Sequence, residues 1–170
     1  MKGTQAVRRI VISDACVLIN FLHVDRLDLL LESAAFEVVI TDHVRGEVLE
    51  DTQREKLDRA VEGRKLLEVQ ITDPVELSLF ASLSGFLGNG EAAALAVAER
   101  RGWMIATDER GRTLTEIVKR LGSERLRTTP AIIVQCIRSG AISVPQADAI
   151  KERLEALRFR MPFRSFADLA

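Results

Sequence analysis

Apolar positions along this chain follow two rhythms. Short runs rich in Val and Ile, RIVIS at 9–13, FEVVI at 36–40, LEVQI at 67–71, WMIA at 103–106 and RLRT at 125–128, are too brief for helices and read as buried strands. Between them the apolar residues recur at helical spacing: ACVLINFL, RLDLLLES and TDHVRGEVLED, then a highly charged segment over 53–67, and further segments over 74–84, 90–101, about 109–121, 130–139 and from Pro145 to about Leu157. Local chemistry marks several starts. Thr41 or Asp42 is placed to cap the third helix, Asp73-Pro74 puts a cap before a proline at the first helical position, Asn89 precedes an alanine-rich run that Gly102 ends, and Thr129-Pro130 opens another helix. SGFLGNG, before that alanine run, reads as a loop.

Strands alternating with helices predict βαβ crossovers, and so an α/β domain: a three-layer α/β/α sandwich around a mostly parallel sheet. The 170 residues form one domain, 1–170, with residues 143–170 as a C-terminal helical extension and tail. LDLLLES and the tail MPFRSFADLA either complete the monomer core or form a two-fold interface.

Composition adds exclusions. No run is long enough to span a membrane, and the apolar stretch Ile10–Leu22 is broken by Ser13-Asp14 and Asn20, which argues against a signal peptide and for a cytoplasmic protein. Two cysteines, Cys16 and Cys136, sit in apolar helical patterns and read as buried free thiols. A net charge of −1 supplies no general field for nucleic acid, but Arg100–Arg127 holds eight basic and four acidic residues. That local excess is either a solvated helix face or a substrate track.

Four acids stand at the ends of elements. Asp14 follows the first strand, Asp108 follows WMIA, Glu47 lies in the second turn of the helix after FEVVI, and Glu91 lies in the first turn of the alanine-rich helix. Each alone could be a cap or a partner of a helix dipole. Together they belong at one rim, because the carboxyl ends of parallel strands share an edge. Carboxylates about 5 Å apart repel by roughly 3 kcal/mol per pair at an effective dielectric near 20, so such a cluster calls for protons, solvent or a cation. All-oxygen ligands favour Mg²⁺ or Mn²⁺ over zinc, and His23 and His43 fit no zinc spacing. One or two such ions would serve hydrolysis of a phosphodiester, with Arg110 and Arg112 placed to engage phosphate. A phosphohydrolase with an aspartyl nucleophile would carry a second acid where Cys16 stands, and a receiver-like domain would pair acids after its first strand.

With these residues assembled, the chain resembles PIN-domain ribonucleases. VISDACVLINFL, ITDHVRGEVLED, LGNGEAAALAVAERRGWMIATDERGR and LRTTPAIIVQCIRSGAI carry the resemblance, and GNGEAAALA is its most specific piece. The last two resemble a prokaryotic branch related to the VapC toxins of toxin–antitoxin operons. The likeness implies that Asp14, Glu47, Glu91 and Asp108 are catalytic and hold Mg²⁺ or Mn²⁺, with Ser13 and Thr107 as supporting hydroxyls. It further implies an endoribonuclease acting on RNA, a homodimer, and silencing by a small antitoxin protein. The sequence departs from the family where Ala15 and Cys16, rather than Thr or Ser, follow Asp14, and where Glu109 rather than Asp follows Asp108, which leaves a fifth ligand unassigned. A non-catalytic PIN-like binding or scaffold domain is the alternative; the presence of all four acids counts against it.

Overall fold

The computed structural model describes residues 9–170. Its strands are β1 (Arg9–Ser13), β2 (Phe36–Thr41), β3 (Leu67–Val69), β4 (Met104–Ala106) and β5 (Leu126–Arg127). Helices α1 (Ala15–His23), α2 (Asp28–Leu31), α3 (Asp42–Glu47), α4 (Asp51–Glu62), α5 (Pro74–Leu83), α6 (Asn89–Arg101) and α7 (Gly111–Leu121) connect them, and α8 (Thr129–Arg138) and α9 (Val144–Ala156) follow β5. The sheet runs β3-β2-β1-β4-β5 and every neighbouring pair is parallel, so the expected sandwich has a wholly parallel sheet.

Both faces of such a sheet must be covered, and the strand sequences supply apolar residues to both. Successive side chains point to opposite faces. Val11, Val38, Ile40, Met104 and Ala106 enter one core, with α1, α4, α8 and α9; Ile12, Val39 and Ile105 enter the other, with α5, α6 and α7. Helix α6 is buried all round from Ala92 to Ala98, because methyl-sized side chains let it lie close against its neighbours. Gly102 ends it in the left-handed conformation, φ 69°, where only glycine is free of strain. The strand order reverses at β1: β2 and β3 extend to one side, β4 and β5 to the other. Such a reversal opens a crevice at the carboxyl edge.

Several boundaries differ from the sequence expectation. Strand LEVQI stops at Val69, and the charged helix runs 51–62 rather than 53–67. The third helix ends at Glu47 instead of running on to Asp51, because Glu50 starts a new helix by accepting hydrogen bonds from the Thr52 and Gln53 N–H groups. Asn89 is already helical and Gly88 holds the cap position without a side chain to fill it; Thr128, not Thr129, caps α8. The helix expected from Glu109 begins at Gly111.

After α9 the chain turns back at Arg158 (φ 69°) and docks on its own core. Phe166 is fully buried, Met161 nearly so, and Asp148 of α9 accepts hydrogen bonds from Ser165 Oγ (2.7 Å) and Phe166 N–H (2.8 Å). Leu29 and Leu30 of α2 are buried in the same core. Both apolar segments therefore complete the monomer. Among the described residues, no helix is long and apolar enough to cross a membrane.

Candidate metal centre

Strand register brings the first two acids together. Ser13 pairs with Ala106, and the Asp14 N–H donates to the Ala106 carbonyl at 3.0 Å, so the residues leaving β1 and β4 lie side by side. Asp14 caps α1: Oδ1 accepts from the Val17 N–H at 3.3 Å and from the Cys16 thiol at 2.8 Å. Only 2% of Asp14 is exposed, and burial pushes its carboxyl up to about 7, against the opposing pull of the Cys16 and Thr107 side chains and the Val17 N–H.

Glu47 and Glu91 meet through the start of α6. Its cap position is Gly88, which offers no acceptor; Glu47 Oε1, from the end of α3, accepts the Gly90 N–H at 2.7 Å instead. A negative group here is also favoured by the helix dipole. The approach is close enough that a Cβ on residue 90 would lie 2.5 Å from Glu47 Oε2. Glu91, one residue on, accepts a hydrogen bond from Thr113 Oγ1 of α7 at 3.1 Å.

The two acids after β4 turn in different directions. Asp108 faces α1 and α8: its Oδ1 accepts the Thr129 N–H at 2.8 Å, and its Oδ2 accepts Asn20 Nδ2 at 3.0 Å and the Thr129 hydroxyl. Burial raises its carboxyl and these donors draw it back. Glu109 faces the cleft, a hollow of about 220 Å³ lined by Asp14, Cys16, Ile19, Glu47, Glu91 and Glu109. Its carboxyl is raised by burial first and then by the charges of Glu91, Asp108 and Glu47. Ligand atoms of Asp14, Cys16 and Glu109 all lie within 4.8 Å of one another. Among the described residues no Lys, Arg or His is ion-paired with Asp14, Glu47, Glu91, Asp108 or Glu109.

The remaining residues singled out from the sequence divide as follows. Ser13 Oγ donates to the Asp14 backbone carbonyl at 3.0 Å rather than to a carboxylate, while Thr107 Oγ1 accepts the Glu109 N–H at 3.1 Å and so shapes the loop that presents it. Arg110 is exposed beside Glu109; Arg112 instead lies over the Phe86 ring at 5.5 Å. Much of the local basic excess is structural: Arg101 pairs with Glu76, Arg120 with Glu99 and Glu116, and Arg125 holds the Ala98 and Trp103 carbonyls at the end of α6.

Cys16 corrects an expectation. It is half-exposed and lies within the acid cluster, where its sulfur donates to Asp14, accepts the Asp108 N–H at 3.1 Å and sits 3.8 Å from Thr107 Oγ1. Cys136 does sit in the core, as expected. Asn20 and Thr129 were also unforeseen as site residues. The polar Asn20 inside an apolar helical run was a visible signal for the first; nothing marked Thr129 beyond its place before a proline.

A family model described as PIN domain matches residues 10–169, and this chain belongs to that family. PIN domains are generally nucleases that use divalent metals. No curated protein matches the chain. The residues present fit such a metal: unpaired carboxylate oxygens, one of them nearly without solvent, surround one cleft, and no imidazole joins them, which suits a hard cation.

Proposed function

We propose that this protein is an endoribonuclease that depends on Mg²⁺ or Mn²⁺. The observation that carries the reading is the convergence of Asp14, Glu47, Glu91 and Glu109 on one cleft, with no basic side chain among the described residues paired to any of them. Each burial and each like-charged neighbour raises the cost of ionising these carboxylates, a cost that a bound cation offsets.

When bound, a divalent ion supplies Lewis-acid stabilisation of charge developing on the phosphodiester and lowers the pKa of water. The protein's part is positioning. Asp14, Glu47, Glu91 and Glu109 would hold one or two ions. The Cys16 thiol and Val17 N–H fix Asp14 Oδ1. Gly90 fixes Glu47, and Thr113 fixes Glu91. Asp108, the fourth acid of the family pattern, ties β4 to α1 and α8 through Asn20 and Thr129, and thereby orients Glu109 beside it. Arg110, next in the chain, would take a phosphate oxygen of the substrate.

The finer readings are a toxin of a toxin–antitoxin pair, silenced by a small antitoxin protein, and a cytoplasmic homodimer. The toxin, antitoxin and homodimer readings rest on the likeness to the VapC-related branch, and the cytoplasmic one on the acid-interrupted stretch Ile10–Leu22 and the free thiols. The chemistry is tested by incubating RNA with the purified protein and Mn²⁺, beside Asp14→Asn. Mn²⁺-dependent cleavage lost in the variant is expected; equal cutting in EDTA would end the proposal.

A further inference from the structure

We infer that the C-terminal segment completes the substrate site, with Arg160 and Arg110 forming a subsite for the sugar-phosphate backbone of an RNA strand beside the acid cleft. The inference rests on the ribonuclease reading above and adds to it a binding surface and a residue from the far end of the chain.

Arg110, Glu155, Arg160, Met161 and Pro162 line a hollow of about 590 Å³. Arg110 follows Glu109 directly, so one short loop sends a residue to this hollow and the one before it to the acid cleft. Both arginines are exposed, and among the described residues neither is in an ion pair. The one acid in the hollow is already engaged: Glu155 Oε2 accepts Lys151 Nζ at 2.9 Å and its Oε1 accepts the Met161 N–H at 3.4 Å. Arg160 draws on Glu155 and Arg110 on Asp108 only through space, so among the described residues neither guanidinium has a carboxylate bonded to it.

A surface arginine on a loose tail would mean little. Arg160 is held on both sides. On one side the turn at Arg158 is closed by hydrogen bonds from the Arg158 N–H to the Glu155 carbonyl and from the Phe159 N–H to the Leu154 carbonyl. On the other, Met161 and Phe166 are buried and Asp148 holds the Ser165–Phe166 backbone. The backbone that carries Arg160 is thus set in the folded protein before ligand arrives, which lowers the entropic cost of using the residue.

The electrostatics give the pair a task. A cleft lined by four carboxylates repels a polyanion, and a bound ion offsets only part of that charge. Guanidinium groups bind phosphate oxygens in a planar fork. Placed next to the cleft, Arg110 and Arg160 would hold a phosphate neighbouring the one presented to the carboxylates, with Met161 and Pro162 as an apolar floor for the sugar.

The test measures binding separately from cleavage. In the Asp14→Asn background, affinity for a fluorescein-labelled single-stranded RNA oligonucleotide is read by anisotropy at several salt concentrations. Adding Arg160→Ala should weaken binding about fivefold and reduce the salt slope by about one, with Arg110→Ala behaving alike. Arg100→Ala, at the other end of α6 from Glu91, should change neither. In the otherwise unaltered enzyme, Arg160→Ala should raise KM and leave kcat and Mn²⁺ affinity in place. Wild-type cleavage with no effect of Arg160→Ala on binding, or an equal effect of Arg100→Ala, overturns the subsite while the nuclease reading stands. If wild-type protein cuts no RNA but binding still depends on Arg160, the nuclease reading falls and the subsite stands.

Discussion

Glu47 caps a helix to which it does not belong: its Oε1 accepts the Gly90 N–H at 2.7 Å, supplying α6 with the acceptor that Gly88 lacks. One hydrogen bond thereby joins the start of the buried alanine helix to a cleft carboxylate. Residue 90 must be glycine for this contact, since a Cβ there would meet the Glu47 carboxylate. The obstruction is the far end of a flexible side chain, so Gly90→Ala should fold, with a thermal midpoint within a few degrees of wild type. Its Mn²⁺ affinity, measured by calorimetry, should fall about tenfold as Glu47 is displaced. Unchanged affinity would remove Glu47 from the site.

The buried Asp14 makes the metal-free protein weaker as pH rises. Its carboxyl sits near 7 in the native state against an ordinary 3.8. Below about pH 4 both states are protonated and nothing is lost. Between there and pH 7 the unfolded chain releases a proton that the native state keeps, so stability declines, and above 7 the loss levels off on the order of 4 kcal/mol. Asparagine can cap α1 equally well and never ionises. Urea midpoints in EDTA between pH 4 and 8 should therefore fall for wild type and fall much less for Asp14→Asn. Parallel curves for the two proteins would contradict this account.

Asp108 and Glu109 should separate in their effects. Glu109→Gln removes a charge from the cleft and breaks no described hydrogen bond of its carboxylate, so Mn²⁺ affinity should drop while the thermal midpoint holds or rises. Asp108→Asn disturbs acceptors to Asn20 and Thr129 at a part-buried junction of three elements, a loss of about 1–3 kcal/mol. A fall of several degrees in midpoint is expected. The assignment fails if Asp108→Asn leaves stability intact and abolishes metal binding outright.

The Cys16 thiol should be a poor nucleophile in spite of its partial exposure. Burial raises its pKa well above the usual thiol range, and the charge of Asp14 adds to this. In EDTA at pH 8, labelling by a disulfide reagent should be at least tenfold slower than for the unfolded chain. Asp14→Asn should speed it. A thiol that reacts as fast folded as unfolded would place Cys16 outside the acid cluster.

Much of this architecture was legible from period and punctuation. Strand runs such as FEVVI, with apolar side chains on successive positions, can be satisfied only by a sheet covered on both faces, and Asp73-Pro74 or Gly102 marks an element end by backbone chemistry alone. The positions of Asp14, Glu47 and Glu91 followed from the shared edge of parallel strands. The direction in which a side chain turns at that edge did not. Asp108 and Glu109 are adjacent and alike in kind, and their different facing depends on Asn20 and on Thr129, which approach from other helices. The sequence neighbours of Cys16 are apolar and point to a core thiol; its polar surroundings come from residues about ninety positions away. Likewise, the basic window could not reveal which arginines were already engaged by Glu76, Glu99 or the end of α6.

The parallel pairing of β1 with β4 also carries a consequence for biosynthesis. Asp14 is made early, but the backbone carbonyl that fixes it, Ala106, and the Glu109 that faces it are made much later, and the segment bearing Arg160 later still. A nascent chain therefore has no assembled cleft while its first strands are leaving the ribosome. Any chemistry of the cleft waits until β4 and the loop bearing Glu109 have been made and have folded against β1.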